Sequence, residues 1–123
     1  MAKTPASKKA KGNKLERDVA KLYVKYEIDE TATRMPMSGA ITHMKGDIHK
    51  RFDNLYVDEC KNQERVQLWA WWAQAVAQCS PQQIPILHVT SNHKPILTVM
   101  TVEEYMDLRA CKKQLEDILD DKQ

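Results

Sequence analysis

Near the middle of the chain, two strand-like runs enclose one strongly apolar helical stretch, and few folds accommodate that order. Residues 84–90 are rich in apolar and β-branched side chains, and residues 55–61 also have the pattern of a strand. Residues 64–79 lie between them and end before Pro81, as a helix should. With 123 residues, the chain can form one compact domain with a hydrophobic core. This order predicts a sheet with helices packed against it.

The flanking segments complete an element order of α-β-β-β-α-β-β-α. Asn13 is a good N-cap for a first helix, and Thr101 with Glu104 forms a capping box that opens a last helix. The turn-like residues 91–95 predict an antiparallel hairpin. We therefore predict an α/β fold, with α+β as the borderline alternative, built on a mixed five-stranded sheet flanked by helices. The predicted helices cover 13–29, 64–79 and 101–119, and the strands cover 31–35, a run starting at 47, 55–61, 84–90 and 96–100.

Positive charge is concentrated in the N-terminal half of the chain. Residues 1–65 carry 14 Lys and Arg against 10 Asp and Glu, a balance of +4, whereas residues 66–123 carry 5 against 7, a balance of −2. The first fourteen residues hold five lysines and no acid. Such a run attracts polyanions, although a solvated disordered tail fits the composition equally well. We predict a flexible basic arm over residues 1–12 and a single domain over residues 13–123.

The apolar and cysteine content argues against a membrane or a disulfide-stabilised protein. No apolar run reaches the length of a membrane span, and the N-terminus lacks an apolar signal-like segment. Cys60, Cys79 and Cys111 are far apart and match no metal-binding spacing. Free thiols in a reducing cytoplasm are the simplest interpretation, so we predict a cytoplasmic protein without membrane partners.

Three acids and a lysine form the set that can carry chemistry. Glu59 and Lys61 are two residues apart on one predicted strand, so both side chains lie on the same face. Asp47 begins the preceding strand, and a hairpin would bring its carboxylate close to Glu59. Two adjacent carboxylates repel unless a cation such as Mg²⁺, or Mn²⁺ in its place, neutralises them. The Cys60 carbonyl offers another ligand, and Lys61 would stabilise charge on a phosphate beside a metal-bound water.

Each of these residues also has a purely structural interpretation. Glu16 lies three residues after Asn13, where a capping residue reaches back to the N-cap amide. Glu59 and Lys61 can form a weak ion pair on an exposed strand face. Asp47 can be a turn residue after Gly46. For Asp58, which points away from Glu59, we predict a solvent or interface position.

The tryptophan-rich helix is predicted to contribute to the core and to a subunit interface. Its apolar residues at helical spacing indicate a core face, and two further tryptophans widen that face. Stacking of the tryptophans on bases is the alternative, which we regard as the weaker one. The predicted core face consists of Val66, Trp69, Ala73 and Val76, and Trp71 and Trp72 widen it.

The order of these motifs resembles a known nuclease family. Gly46-Asp47-Ile48 followed by Glu59-Cys60-Lys61 resembles the PD-(D/E)xK signature, with Gly46 in place of its proline. Upstream, residues 11–17 resemble the opening of the archaeal-type Holliday-junction resolvases, and residues 34–40 resemble their loop of Arg, Pro, Ser and Gly. These ordered motifs cover residues 11–61, and the rest of the chain is similar only in its element order.

The resemblance implies a restriction-endonuclease-like fold and a homodimer that makes paired nicks in branched DNA, an activity of DNA recombination and repair. Glu16, Asp47 and Glu59 would be the metal-site acids and Lys61 the catalytic lysine. Ser38 would lie near the scissile phosphate, and Arg34 would contact DNA. Basic residues that would hold the phosphate backbone without reading bases are Lys8, Lys9, Lys11, Lys45, Lys50 and Arg51.

Other functions fit the same residues. A nuclease for linear duplex, nicked sites or DNA ends would share the scaffold and differ only in its choice of substrate. A nuclease-like protein that binds DNA without cutting it, or an interaction protein that uses the tryptophan-rich helix, is a more distant alternative. A phage or an archaeon would suit a module of this size equally.

Overall fold

The computed structural model describes residues 5–35 and 46–121, with the side chains of Pro5 and Ala6 left out. Its element order is the predicted α-β-β-β-α-β-β-α, a mixed α/β fold. In chain order the elements are α1 (Pro5–Lys25), β1 (Thr33–Arg34), β2 (Ile48–His49), β3 (Tyr56–Asn62), α2 (Leu68–Ala77), β4 (Ile84–Thr90), β5 (Leu97–Val99) and α3 (Val102–Asp121).

The strands form two sheets within the described residues, so the prediction of one five-stranded sheet is wrong. One sheet has the order β3-β4-β5, and β1 pairs with β2 in the other. β3 and β4 are parallel, with Glu59 opposite Leu87, and α2 supplies the crossover that parallel strands require. β4 and β5 form the predicted antiparallel hairpin. Because β1 and β2 have only two residues each, they are too short to extend the ladder along β3.

The first helix begins eight residues before Asn13, so residues 5–12 are helical rather than a flexible arm. Proline is favoured at the first position of a helix, and the alanines and lysines that follow are good helix formers. Residues 1–4 lie outside the described part. Asn13 is therefore an interior residue, and its side-chain oxygen accepts a hydrogen bond from Arg34 Nη2 at 2.8 Å.

One face of the three-stranded sheet is covered by α1. Leu15, Val19 and Ala20 of this helix are almost fully buried and cluster with Ile48 and Cys60. Farther along the same helix, Leu22 and Tyr26 continue the helical spacing of Leu15 and Val19 but are exposed. The core therefore lies between the first half of α1 and the middle of β3, which is where the candidate site forms.

The other face is covered by α2, but through residues other than those predicted. Trp71 and Ala75 are buried, whereas Val66, Trp69 and Val76 are exposed, Trp69 to 79%. Ala73 is exposed as well. The helix is apolar around its whole circumference, so hydrophobic periodicity could not identify the side that faces the sheet.

The last helix lies outside the core. Thr101 caps it as predicted, since its Oγ1 accepts a hydrogen bond from the Glu104 amide at 3.2 Å. The Glu104 carboxylate accepts a hydrogen bond from the Tyr56 hydroxyl instead of returning to the cap. No described residue of α3 is buried. Within residues 5–35 and 46–121, no helix combines the length and the hydrophobicity that a membrane span needs.

Candidate functional site

The site forms along the edge of β3 that faces away from β4. The Asp47 amide donates a hydrogen bond to the Asp58 carbonyl, and Asp47 Oδ2 accepts one from the Cys60 amide, both at 2.8 Å. These two bonds fix the Asp47 carboxyl beside β3. The Asp47 carboxyl therefore lies close to Glu59, whose pKa its negative charge raises. The fold thus brings together the two acids that the sequence analysis expected to lie side by side. Because the Asp47 carboxyl is bonded to β3, Asp47 is more than a turn residue after Gly46.

Gly46 makes this approach possible. Its φ is +82°, a conformation that side-chain-bearing residues rarely adopt. A Cβ at this position would lie 2.8 Å from the Asp58 carbonyl oxygen and 2.9 Å from Val57 Cγ1. Glycine therefore stands where the signature names proline because the backbone passes almost in contact with β3.

Glu16 reaches the same edge from α1. It is an interior residue of the helix, so the capping interpretation is wrong. Its Oε2 lies 3.0 Å from Arg34 Nε in a partly buried ion pair. Burial raises the pKa of Glu16, and the negative charge of Asp47 raises it further. Glu16 is therefore within electrostatic reach of the carboxyl pair, and Arg34 is its counter-charge.

Glu59 is buried, which excludes an exposed strand face. Only 6% of the residue is accessible, and its Oε1 lies 3.6 Å from Lys61 Nζ. Gln78, just after α2, donates a hydrogen bond to the other carboxyl oxygen. Burial and the adjacent Asp47 raise the pKa of Glu59 to about 7. This carboxyl therefore stays largely protonated up to nearly neutral pH, and a cation that binds it must displace the proton into solvent.

These residues fit a hard divalent cation. In the described part of the chain, no three His, Cys, Asp or Glu side chains form a metal-binding group. Mg²⁺, however, needs only one or two carboxylates, and water and phosphate oxygens complete its shell. Burial raises the pKa of Asp47 as well as that of Glu59. The neighbouring groups therefore do not fully compensate the negative charge of the two carboxylates, and a bound cation would do so. The Cys60 carbonyl points to the same edge as its amide and can serve as a third ligand.

The pKa of Glu59 predicts a specific pH dependence in the absence of metal. Because the folded pKa of about 7 exceeds the ordinary 4.5, the folded state binds more protons than the unfolded state between these values. The resulting stabilisation is complete below pH 4.5 and is lost as the pH rises through 7. We expect the melting temperature in EDTA to fall between pH 5 and 8 more steeply for the natural protein than for Glu59→Gln. Parallel curves for the two proteins would contradict the raised pKa.

The predicted DNA contacts are in different environments. Lys8 and Lys9 are exposed on α1, as is Arg51 near β2. Lys11 lies 3.5 Å from Glu64. Lys50 is buried, with Nζ 2.8 Å from Asp58 and 3.1 Å from Asp53, so it is not available to a phosphate. Ser38 and Lys45 lie outside the described residues.

A buried polar cluster around Asp58 was missed by the sequence analysis. Asp58 is fully buried, contrary to the solvent or interface position predicted for it. Its Oδ1 pairs with Lys50, and its Oδ2 contacts His88 at 2.7 Å and the Tyr23 hydroxyl. Burial alone would raise the pKa of Asp58, but the His88 hydrogen bond and the Lys50 charge hold it below its ordinary value. The sequence did contain an indication of this burial. If helices cover both faces of the sheet, the side chains on both faces of β3 are buried, including Asp58.

The mixed fold and its carboxylate edge define the class of PD-(D/E)xK nucleases. A family model described as "Phage putative PDDEXK endonuclease" matches residues 7–119, and the chain belongs to this family. The matched range includes Glu16, Asp47, Glu59 and Lys61. No curated protein and no solved structure matches the chain.

Proposed function

We propose that this protein is a Mg²⁺-dependent endonuclease that resolves four-way DNA junctions by paired phosphodiester hydrolysis. The observation that carries the proposal is that the Asp47 carboxyl and the buried Glu59 carboxyl meet at one edge of β3, with Lys61 beside Glu59. Structural ion pairs join unlike charges, whereas this pair places like charges together in a buried position. Such an arrangement costs stability and is typical of a catalytic site.

Asp47, Glu59 and the Cys60 carbonyl would hold the cation, and Glu16 would hold it from the side of α1. When bound, Mg²⁺ would neutralise the scissile phosphate and lower the pKa of a water molecule. Glu59 must lose its proton before it can bind the cation, and Gln78 keeps its carboxyl oriented in both states. Lys61 Nζ would stabilise the negative charge that develops on the phosphate during in-line attack.

The DNA backbone would be held mainly by exposed basic side chains. Lys8 and Lys9 project from the first turns of α1, and Arg51 lies exposed near the β2 end of the site. Ser38, Lys45 and Arg34 remain proposed contacts, with Arg34 also neutralising Glu16. Contacts of this kind carry little sequence information, which suits an enzyme that selects DNA by shape.

The preference for a junction rests on the motifs in residues 11–17 and 34–40, which resemble those of resolvases. A four-way junction has approximate two-fold symmetry, and a two-fold homodimer would present two sites related in the same way. A cytoplasmic location is part of the same proposal. A nuclease for linear duplex, nicks or ends is the alternative.

Cleavage of an end-labelled four-way junction tests this proposal against a linear duplex of the same arm sequence, each with Mg²⁺ and with EDTA. We expect paired, symmetric nicks in the junction alone, and none in EDTA. Equal cutting of both substrates would contradict junction selectivity and retain the nuclease. Cleavage that continues in EDTA would contradict the metal site.

A further inference from the structure

The outer part of α3 has an apolar surface without a partner in the described structure. Beyond Glu104 the helix continues to Asp121 without extended contact with any other described element. Most of the stability of a helix in a protein comes from packing of its apolar face, so such a segment gains stability from a partner. Five of its apolar or cysteine residues recur on one side and are all exposed, Leu115 to 56% and Ile118 to 52%. We call Leu108, Cys111, Leu115, Ile118 and Leu119 the α3 stripe.

A second apolar surface lies on the outer side of α2. The helix carries no charged residue, although most of its residues are exposed. Trp69 is 79% exposed and Val76 is 47% exposed, and small alanines lie between and beside them. We call Trp69, Ala70, Ala73, Val76 and Ala77 the α2 stripe. The alanines leave shallow depressions into which large side chains of another helix can pack.

The two stripes of one chain do not cover each other, since both are exposed. The first turn of α3 is hydrogen-bonded to Tyr56. Tyr56 lies on the same face of β3 as Asp58 and Cys60, which is the face that α1 covers. The α2 helix covers the other face, where Gln78 contacts Glu59. Because α3 starts on the face opposite α2 and makes no extended contact with it, α3 does not cover the α2 stripe of its own chain.

We infer that the α3 stripe packs against the α2 stripe of a second copy of this chain, and reciprocally, in a two-fold dimer. One partner then covers both surfaces, and the bulky leucines and isoleucine of α3 meet the alanines of α2. Two stripes of five residues in each of two copies bring twenty side chains into the interface. Each would need to bury about 60 Å² on average to reach the roughly 1,200 Å² of a stable interface. Pairing α3 with α3 would give a seam of only two heptads, which is short for a coiled coil, and would leave Trp69 uncovered.

The mass in solution tests this contact without reference to nuclease activity. We expect the natural protein to sediment at twice its chain mass at micromolar concentration. L115E and W69E should each weaken the dimer at least tenfold. A110E and Q74E add the same charge to exposed positions outside the stripes and should leave both the dimer and the circular dichroism unchanged. A natural protein that stays monomeric at tens of micromolar, or stripe variants that dimerise normally, would overturn the inference.

Disulfide trapping identifies which helices meet. Cys111 lies in the α3 stripe, so a thiol introduced by A73C should form a disulfide with Cys111 of the other copy. This link should appear as a dimer band and be lost in A73C/C111S. A link from Cys111 to Cys111 alone would show that α3 pairs with α3, and a link within one chain would show that α3 covers its own α2. Either result would overturn the proposed arrangement.

Discussion

Glu59→Gln will reduce Mg²⁺-dependent DNA cleavage by at least about a hundredfold, the scale on which loss of a single transition-state contact acts. The amide keeps the size of the carboxyl and its place beside Gln78, so the fold should be retained. It cannot supply the negative charge that holds the cation. DNA binding without metal should persist or strengthen, since a carboxylate at this site repels phosphate.

The matched control for this experiment is Glu103→Gln, which removes a carboxylate from an exposed position in the first turn of α3. Cleavage at its natural rate is expected for this control. Single-turnover rates and DNA-binding constants separate chemistry from affinity. Natural cleavage by both Glu59→Gln and Asp47→Asn would refute the proposed site, and loss of binding together with cleavage would show that Glu59 acts through the fold.

The second large effect is expected on stability, at Asp58. Lys50 has a side chain only 2% exposed, and Asp58 is its fully buried partner. Asp58→Asn leaves that ammonium buried with Asp53 as its remaining acidic partner. Breaking a buried pair from one side costs about 3 kcal/mol or more, because the charge left behind is not hydrated and is neutralised only in part, here by Asp53. Urea unfolding should show this loss as a lower midpoint with an unchanged slope.

Asp117→Asn is the control for this second prediction. Asp117 also pairs with a lysine, Lys113 at 2.7 Å, but both side chains are more than half exposed. Exposed pairs of this kind contribute at most about 0.5 kcal/mol. Similar midpoint shifts in the two variants would mean that burial does not determine the strength of the Asp58 cluster.

The candidate site was largely predictable because its residues lie close together in the chain or follow a recognisable order. Glu59 and Lys61 share a strand face by simple alternation. A hairpin between the two consecutive strands predicted that the Asp47 carboxylate lies close to Glu59. The detailed route was different, since Asp47 is held by the backbone of β3 through the Asp58 carbonyl and the Cys60 amide rather than by a regular hairpin. Gln78 and Arg34 could not be assigned their contacts with Glu59 and Glu16, because nothing in local spacing brings such distant residues together.

The sequence by itself determined the order of the elements, because hydrophobic periodicity, capping residues and turn residues act over a few neighbouring positions. It also indicated the PD-(D/E)xK class, because the ordered acids and lysine carry the signature. Only the tertiary structure decided which side of α2 faces the sheet, that Asp58 is buried and that α3 lies outside the core. These outcomes depend on which surfaces meet, and in α2, where Gln74 is the one polar residue, no local pattern distinguishes the buried side from the exposed one.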